Sequence, residues 1–320
     1  MRKGKAFEVF VKRLLISVGF TEVNSDGLYI FDGAPGQMIQ GLGEAHNADV
    51  LLEPPVQTPF YAQTRLLIEC KDYSKRVGLD TVRSALGLRE DINHFDIVDI
   101  NELVTRRGQR RVGNVCYTRY LYQVAIASIS GFSMKAQKFA ATHRISLIEF
   151  DKLPFWGDLE AIMHIGDWEH SDVRNELDIS ERQLQDVMEK IGNHMALAIT
   201  NSGQILFLYH CGNREIDFSD NRYSIYWEDS QQPWRLVSGG EEYLFQLPQY
   251  VMKYWLENSV NELEMRKAAI NCKSAFLSNM VVYYMNGEMP QIKMISIDQY
   301  ELKEAKRRLK MRREDAFGSQ

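Results

Sequence analysis

Cysteine is scarce in this chain, with four among 320 residues, and none of the four has metal-binding company. Cys70, Cys116, Cys211 and Cys272 lie far apart and form no Cys-x-x-Cys pair or Cys/His cluster. That pattern excludes a zinc-finger type of site and gives a disulfide framework no support, so a reduced, cytoplasmic protein is expected. No apolar run approaches the roughly 20 residues that a membrane span requires. The basic opening Met1-Arg2-Lys3-Gly4-Lys5 is followed by Glu8, Lys12 and Arg13, which interrupt any leader-like apolar core, and no export signal is expected. Internal repeats and low-complexity stretches are also missing. Tryptophan is missing from the first 150 residues: Trp156, Trp168, Trp227, Trp234 and Trp255 all fall later.

What is present describes an ordinary globular chain, 45% hydrophobic and 25% charged, of a length that suits two domains. The net charge of -5 conceals an imbalance. Residues 1–150 carry 19 Lys and Arg against 16 Asp and Glu, whereas residues 151–320 carry 19 against 27. We therefore read two units, 1–153 and 154–320. Residues 151–300 alone hold 12 basic against 23 acidic side chains, a surface that repels DNA over most of its area. An aromatic, strand-rich α+β unit of that kind suits a regulatory, ligand-sensing or oligomerisation role.

Periodicity outlines the elements. Phe7, Phe10, Val11, Leu14, Leu15 and Val18 recur at helical spacing before Gly19, so an amphipathic helix is predicted over 5–18, with Glu8 bordering its apolar stripe. Residues 24–47 are rich in Gly, Asp, Asn and Pro and read as loop, with one short strand at 28–31. Strands are predicted at 48–52 and 65–71, a helix over 77–92, a buried strand at 122–128, a short helix over 133–143 and a strand at 145–150. Residues 93–118 read as an insertion, acidic first and then basic through Arg106, Arg107, Arg110 and Arg111. In the second unit, 196–200 and 205–209 flank the hairpin signal Asn201-Ser202-Gly203. A second strand pair is read at 223–227 and 234–237, a helix after Pro248, a hairpin around Asn286-Gly287, and a charged closing helix.

One constellation carries chemistry. Phosphodiester hydrolysis needs an activated water and charge neutralisation at phosphorus, which hard divalent cations on carboxylates provide. Asp49 opens one predicted strand, and Glu69 and Lys71 end the next. Residues i and i+2 of a strand share a face, so Glu69 and Lys71 project together while Cys70 points to the opposite side. Pairing the two strands as a hairpin brings Asp49 to the same face. An acid followed by Glu-x-Lys is short and common, and an edge-strand ion pair on an unrelated α/β domain is the competing reading.

The flanking residues sharpen the choice. Ala48-Asp49-Val50 with Ile68-Glu69-Cys70-Lys71 resembles the metal-binding core of the PD-(D/E)xK nuclease superfamily. The helix carrying Phe7-Glu8 and ending at Gly19-Phe20, and the segment Ala127-Ser128-Ile129-Ser130-Gly131-Phe132-Ser133 with Ala136, Phe139-Ala140 and Ile145-Ser146-Leu147-Ile148, are similar to Mrr-type restriction endonucleases. The resemblance covers roughly residues 5–153. It implies a restriction-endonuclease-like three-layer sandwich with a mixed central sheet, Mg²⁺ (or Mn²⁺ in its place) and DNA as substrate; cutting both strands needs two sites, so a homodimer is expected. By the same resemblance, Asp49 and Glu69 are metal ligands, Lys71 faces the attacking water and Glu8 is an additional carboxylate. Ala48 stands where the motif has proline, and Glu69 where Mrr-type members often have glutamine.

Other groups carry less. Glu44, His46 and Asn47 read either as loop residues near metal or phosphate or as polar loop filling. The arginines at 106, 107, 110 and 111 are read as a grip on DNA phosphates, with a solvated hairpin tip as the alternative. The cations from Lys303 to Arg313, offset by Glu301, Glu304, Glu314 and Asp315, make the closing helix basic; a solvated helix end is the usual meaning, with a second phosphate contact as the alternative. His164, His170 and His210 lack the company of a metal site. The function expected is a metal-dependent DNA endonuclease of restriction or defence type. The alternative is a nuclease-fold module that binds DNA or a partner without cutting.

Overall fold

The computed structural model describes residues 5–34, 36–57, 62–95, 120–153, 155–157, 182, 184–186, 188–212, 215–226, 234–255 and 261–317. The basic group at Arg106–Arg111 and the histidines at 164 and 170 lie outside them. Among the described residues no helix is long and apolar enough to cross a membrane.

The chain opens with α1 (Lys5–Ile16), then β1 (Thr21–Glu22), β2 (Ile30–Gly33), β3 (Gly36–Gln40), β4 (Ala45–Asn47), β5 (Val50–Glu53) and β6 (Gln63–Lys71). There follow α2 (Leu79–Asn93), β7 (Tyr120–Ser128), α3 (Met134–His143) and β8 (Ser146–Glu149). Five strands form a mixed sheet in the order β1-β5-β6-β7-β8. β5 and β6 are an antiparallel pair, while β6, β7 and β8 run parallel. Alternation along the strands sends side chains to two faces. Val50, Leu52, Leu66 and Ile68 pack beneath Phe7, Phe10, Val11 and Leu14 of α1. Leu51 and Leu67 face the opposite way, onto Val82 and Ala85 of α2 and Ala136 of α3. Helices therefore cover both faces, in line with the reading of this region from its periodicity.

Residues 24–47 depart from that reading. They hold a three-stranded antiparallel sheet, β2-β3-β4, rather than loop around one strand. Its strands are only three to five residues long, and Ile30 and Ile39 are its fully buried apolar anchors. That is too few positions for an alternating pattern to stand out among the glycines.

The second half contains β9 (Met195–Thr200), β10 (Ile205–His210), β11 (Arg222–Tyr226), β12 (Trp234–Ser238) and β13 (Glu241–Phe245). It continues with α4 (Gln249–Trp255), α5 (Glu262–Phe276), β14 (Asn279–Asn286), β15 (Met289–Ile297) and α6 (Gln299–Phe317). The three strand pairs read from the turn signals are present, but they are parts of something larger. Seven strands close into a barrel in the order β10-β13-β12-β11-β15-β14-β9. The closure depends on a parallel pairing of β11 with β15, whose members lie some 70 residues apart. Trp234, Tyr223, Tyr243, Phe218 and Phe245 fill the interior, so the barrel is a packed core.

The two halves share a core. Met195, Leu197, Ile205 and Phe207 on the barrel's outer wall belong to the same apolar cluster as α1. Phe150, fully buried, meets Phe7, Phe10 and Phe207 with ring centroids 5.2, 5.7 and 5.7 Å away. Ser146 Oγ accepts the Ile205 N–H at 2.8 Å across the same seam. At Gly19, φ is +98° and a Cβ would lie 2.8 Å from Cβ of Pro290, so the turn after α1 can approach the β14–β15 hairpin only without a side chain.

Candidate active site

Asp49 immediately precedes β5, and the Val50–Ile68 pairing brings it beside the end of β6. Leu67 faces the α2–α3 layer, so by alternation along β6 Glu69 and Lys71 do too; Asp49, at the bend before β5, comes within reach of Lys71. Cys70 packs on the α1 side. The Asp49 carboxylate accepts the Cys70 N–H through Oδ2 at 2.9 Å and the Asn47 side-chain amide through Oδ1 at 3.2 Å. Lys71 Nζ lies 2.7 Å from Glu69 Oε2 and 3.9 Å from Asp49 Oδ2. The three side chains retain 15–19% of their exposure, enough to meet a small ligand while remaining shielded.

The charges act on one another. Burial pushes the Asp49 carboxyl above its ordinary range; the Cys70 N–H opposes this, Glu69 adds to it, Lys71 opposes it, and Glu8 adds to it. Burial draws the Lys71 ammonium downward, but the charge and hydrogen bond of Glu69, with Asp49 behind it, outweigh that, and the net shift is upward. Lys71 is therefore held as a cation.

Glu8, expected as a further carboxylate, pairs with Lys5 at 2.7 Å. It shares with Asp49, Asn47, Asp32 and Gln37 the wall of an open cleft of about 670 Å³. Asp49 is the member common to cleft and triad. Of the loop group, Asn47 reaches the site. His46 turns away to Asp91 of α2, at 2.7 Å, and Asp91 also accepts the Gly43 N–H. His46 thus anchors the β3–β4 turn. His210 is buried against Glu241 at 3.0 Å.

The donors suit a hard divalent cation. Among the described residues no group of three or more His, Cys, Asp and Glu is arranged around one point. Two carboxylates completed by water are the kind of set Mg²⁺ accepts, since it retains much of its hydration. Burial is the main cause of the upward shift of Asp49, and Glu69 and Glu8 add negative charge that a cation would relieve.

Sequence reasoning passed over a third carboxylate on this edge. Lys71, Ser128 and Glu149 are aligned in register across β6, β7 and β8. Burial, with Asp151 close by, pushes the Glu149 carboxyl up to about 7 against the pull of Lys152, Arg76 and the Phe132 N–H. Gln137 Nε2 donates to Glu149 Oε1 at 3.0 Å. The available signal was an acid closing a buried strand, as Glu69 does on β6. The Ser130–Ser133 segment also has a structural task. Ser130 Oγ donates to Lys75 O, Val77 N–H to Gly131 O and Ser133 N–H to Val77 O, at 2.7 to 2.9 Å. It ties down the chain that leaves Lys71.

No family model matches this chain, and no curated protein does. Among solved structures, it is similar to the crystal structure of a protein of unknown function, AF1548. The match has 18% identity and a TM-score of 0.33, and it covers 57% of this chain and 88% of the other. A likeness of that degree assigns neither fold family nor activity.

Proposed function

We propose that this chain is a Mg²⁺-dependent DNA endonuclease of the PD-(D/E)xK kind, Mrr-like and of restriction or defence type. In this reading its first half is a restriction-endonuclease-like sandwich, and it works in the reducing cytoplasm. The convergence of Asp49, Glu69 and Lys71 from two adjacent strands onto one sheet edge carries the proposal. The helices on both faces of the mixed sheet support it, as do three free thiols among the described residues.

Asp49 and Glu69 would hold the metal, with Mn²⁺ as a substitute. When bound, the ion supplies charge neutralisation at the phosphate and a more acidic water. The Cys70 N–H and Asn47 fix the Asp49 carboxylate, so little reorganisation is needed as charge develops. Lys71, held protonated, donates to the attacking water or to a phosphate oxygen, so its task is to orient and to counter charge rather than to remove a proton. Glu8 adds negative charge across the cleft. A homodimer would present the two sites needed to cut both strands, and the barrel half would regulate or pair the protomers.

The test is cleavage of supercoiled plasmid by the purified chain with Mg²⁺. Nicking or linearisation is expected, with a loss of at least 100-fold in Asp49→Ala and Lys71→Ala, the order seen when an electrostatic catalytic group is removed. Equal activity in those variants sinks the mechanism. Salt-sensitive DNA binding without turnover would favour the binding-only alternative.

A further inference from the structure

The last helix carries a surface that the proposed active site does not use. Leu302 of α6 is buried in the barrel's core, which seats that side of the helix against the fold. Lys303, Lys306, Arg307 and Lys310 follow one another at i, i+3, i+4 and i+7, and all four are exposed. Tyr300 and Met311, 78% and 54% exposed, bracket them.

Solvated helices usually intersperse acids with bases. Between 303 and 311 there are five cations and one acid, Glu304, which pairs with both Arg307 and Arg308 at 3.1 and 3.2 Å. Lys303 and Lys306 have no ion pair among the described residues. Cations gathered on one helix face repel one another, and an anionic partner relieves that repulsion; the stripe also stands apart in sign from a half of the chain that is otherwise strongly acidic.

We propose that the exposed face of α6 is a docking surface for the phosphate backbone of duplex DNA, outside the candidate active site. The choice of DNA rests on the nuclease reading; the demand for a polyanion rests on the stripe alone. Its four cations span about 10 Å of helix, and that length of duplex axis presents about three phosphates on each strand. The contact is to backbone, so it sets position and affinity without reading sequence.

The experiment measures fluorescence anisotropy of a labelled 20-base-pair duplex with the full chain, across a NaCl series. Asp49→Asn is used as the background so that the probe survives. Lys303→Glu with Lys306→Glu should weaken binding at least tenfold at 0.1 M salt and lower the slope of log affinity against log salt by about two. Glu304→Gln releases two arginines and should tighten binding several-fold, a gain that a misfolded variant cannot imitate.

Unchanged affinity and slope in both variants overturns the proposal. So does a fall in sedimentation mass in the double variant with DNA binding intact, which would make α6 a contact with the acidic half of a second copy. The two readings fail separately. Binding through α6 without cleavage sinks the nuclease and keeps this surface, whereas cleavage with an unaltered salt slope does the reverse.

Discussion

The Glu69 carboxylate holds the Lys71 ammonium at 2.7 Å, a pairing of two side chains on the same face of one strand. Asp49, on the neighbouring strand, has the same ammonium only at 3.9 Å. One cation thus serves two carboxylates, and together with the Cys70 N–H it does not offset the burial of Asp49.

Asp49→Asn should therefore stabilise the protein while abolishing cleavage. A carboxyl whose folded pKa is raised destabilises the fold once ionised, so the difference is present at neutral pH. It vanishes as pH falls below the ordinary carboxylate range. Thermal melts at pH 7 and pH 3.5 check this, with a gain of a few degrees expected only at the higher pH.

Glu149 should impose a pH dependence of its own. Its folded pKa of about 7 lies above the ordinary 4.5. Between those values the unfolded chain loses its proton first, so stability falls as pH rises and levels off above about 7. Glu149→Gln keeps the neutral form and should remove that slope. The ceiling on the effect is about 3 kcal/mol at pH 8, read from urea midpoints at pH 5 and 8.

Mg²⁺ should raise the melting temperature. Ligand at a hundred times its dissociation constant contributes about 2.7 kcal/mol to the folded state. Chelation should reverse the shift, and Glu69→Ala should lose it. An equal shift in that variant would place the ion elsewhere.

The shared core predicts a single unfolding transition. All five tryptophans lie after residue 153, and Trp156 packs on Phe150 in the shared core, so their fluorescence reports the second half and the seam, while far-ultraviolet circular dichroism reports the whole chain. The two curves should coincide. Phe150→Ala should move them together by about 3–5 kcal/mol, and Gly19→Ala by about 2 kcal/mol, because it adds a left-handed strain to a clash with Pro290. Separate transitions would show that the halves fold independently.

Much of the triad was legible beforehand because its geometry is local. Strand alternation alone sends Glu69 and Lys71 to one face and Cys70 to the other. Asn47 was visible only as a loop residue, since the short strands concealed the β4 strand that carries it. Glu149 was missed because its burial is a tertiary outcome: Asp151 and Lys152 are local, but Gln137 comes from α3 and Arg76 from the loop after β6.

By itself the sequence determined what short-range periodicity and turn chemistry can encode. That includes the amphipathic α1, the β5–β6 pairing that unites the acids with Lys71, the Asn201-Ser202-Gly203 and Asn286-Gly287 hairpins, and the opposed charge of the two halves. Tertiary structure alone decided that three hairpin-like pairs close into one barrel through β11 and β15, and that the barrel's outer wall completes the core around Phe150. Those outcomes depend on contacts between segments far apart in the chain. Such contacts follow from which apolar faces can be buried against each other, and no local pattern records that.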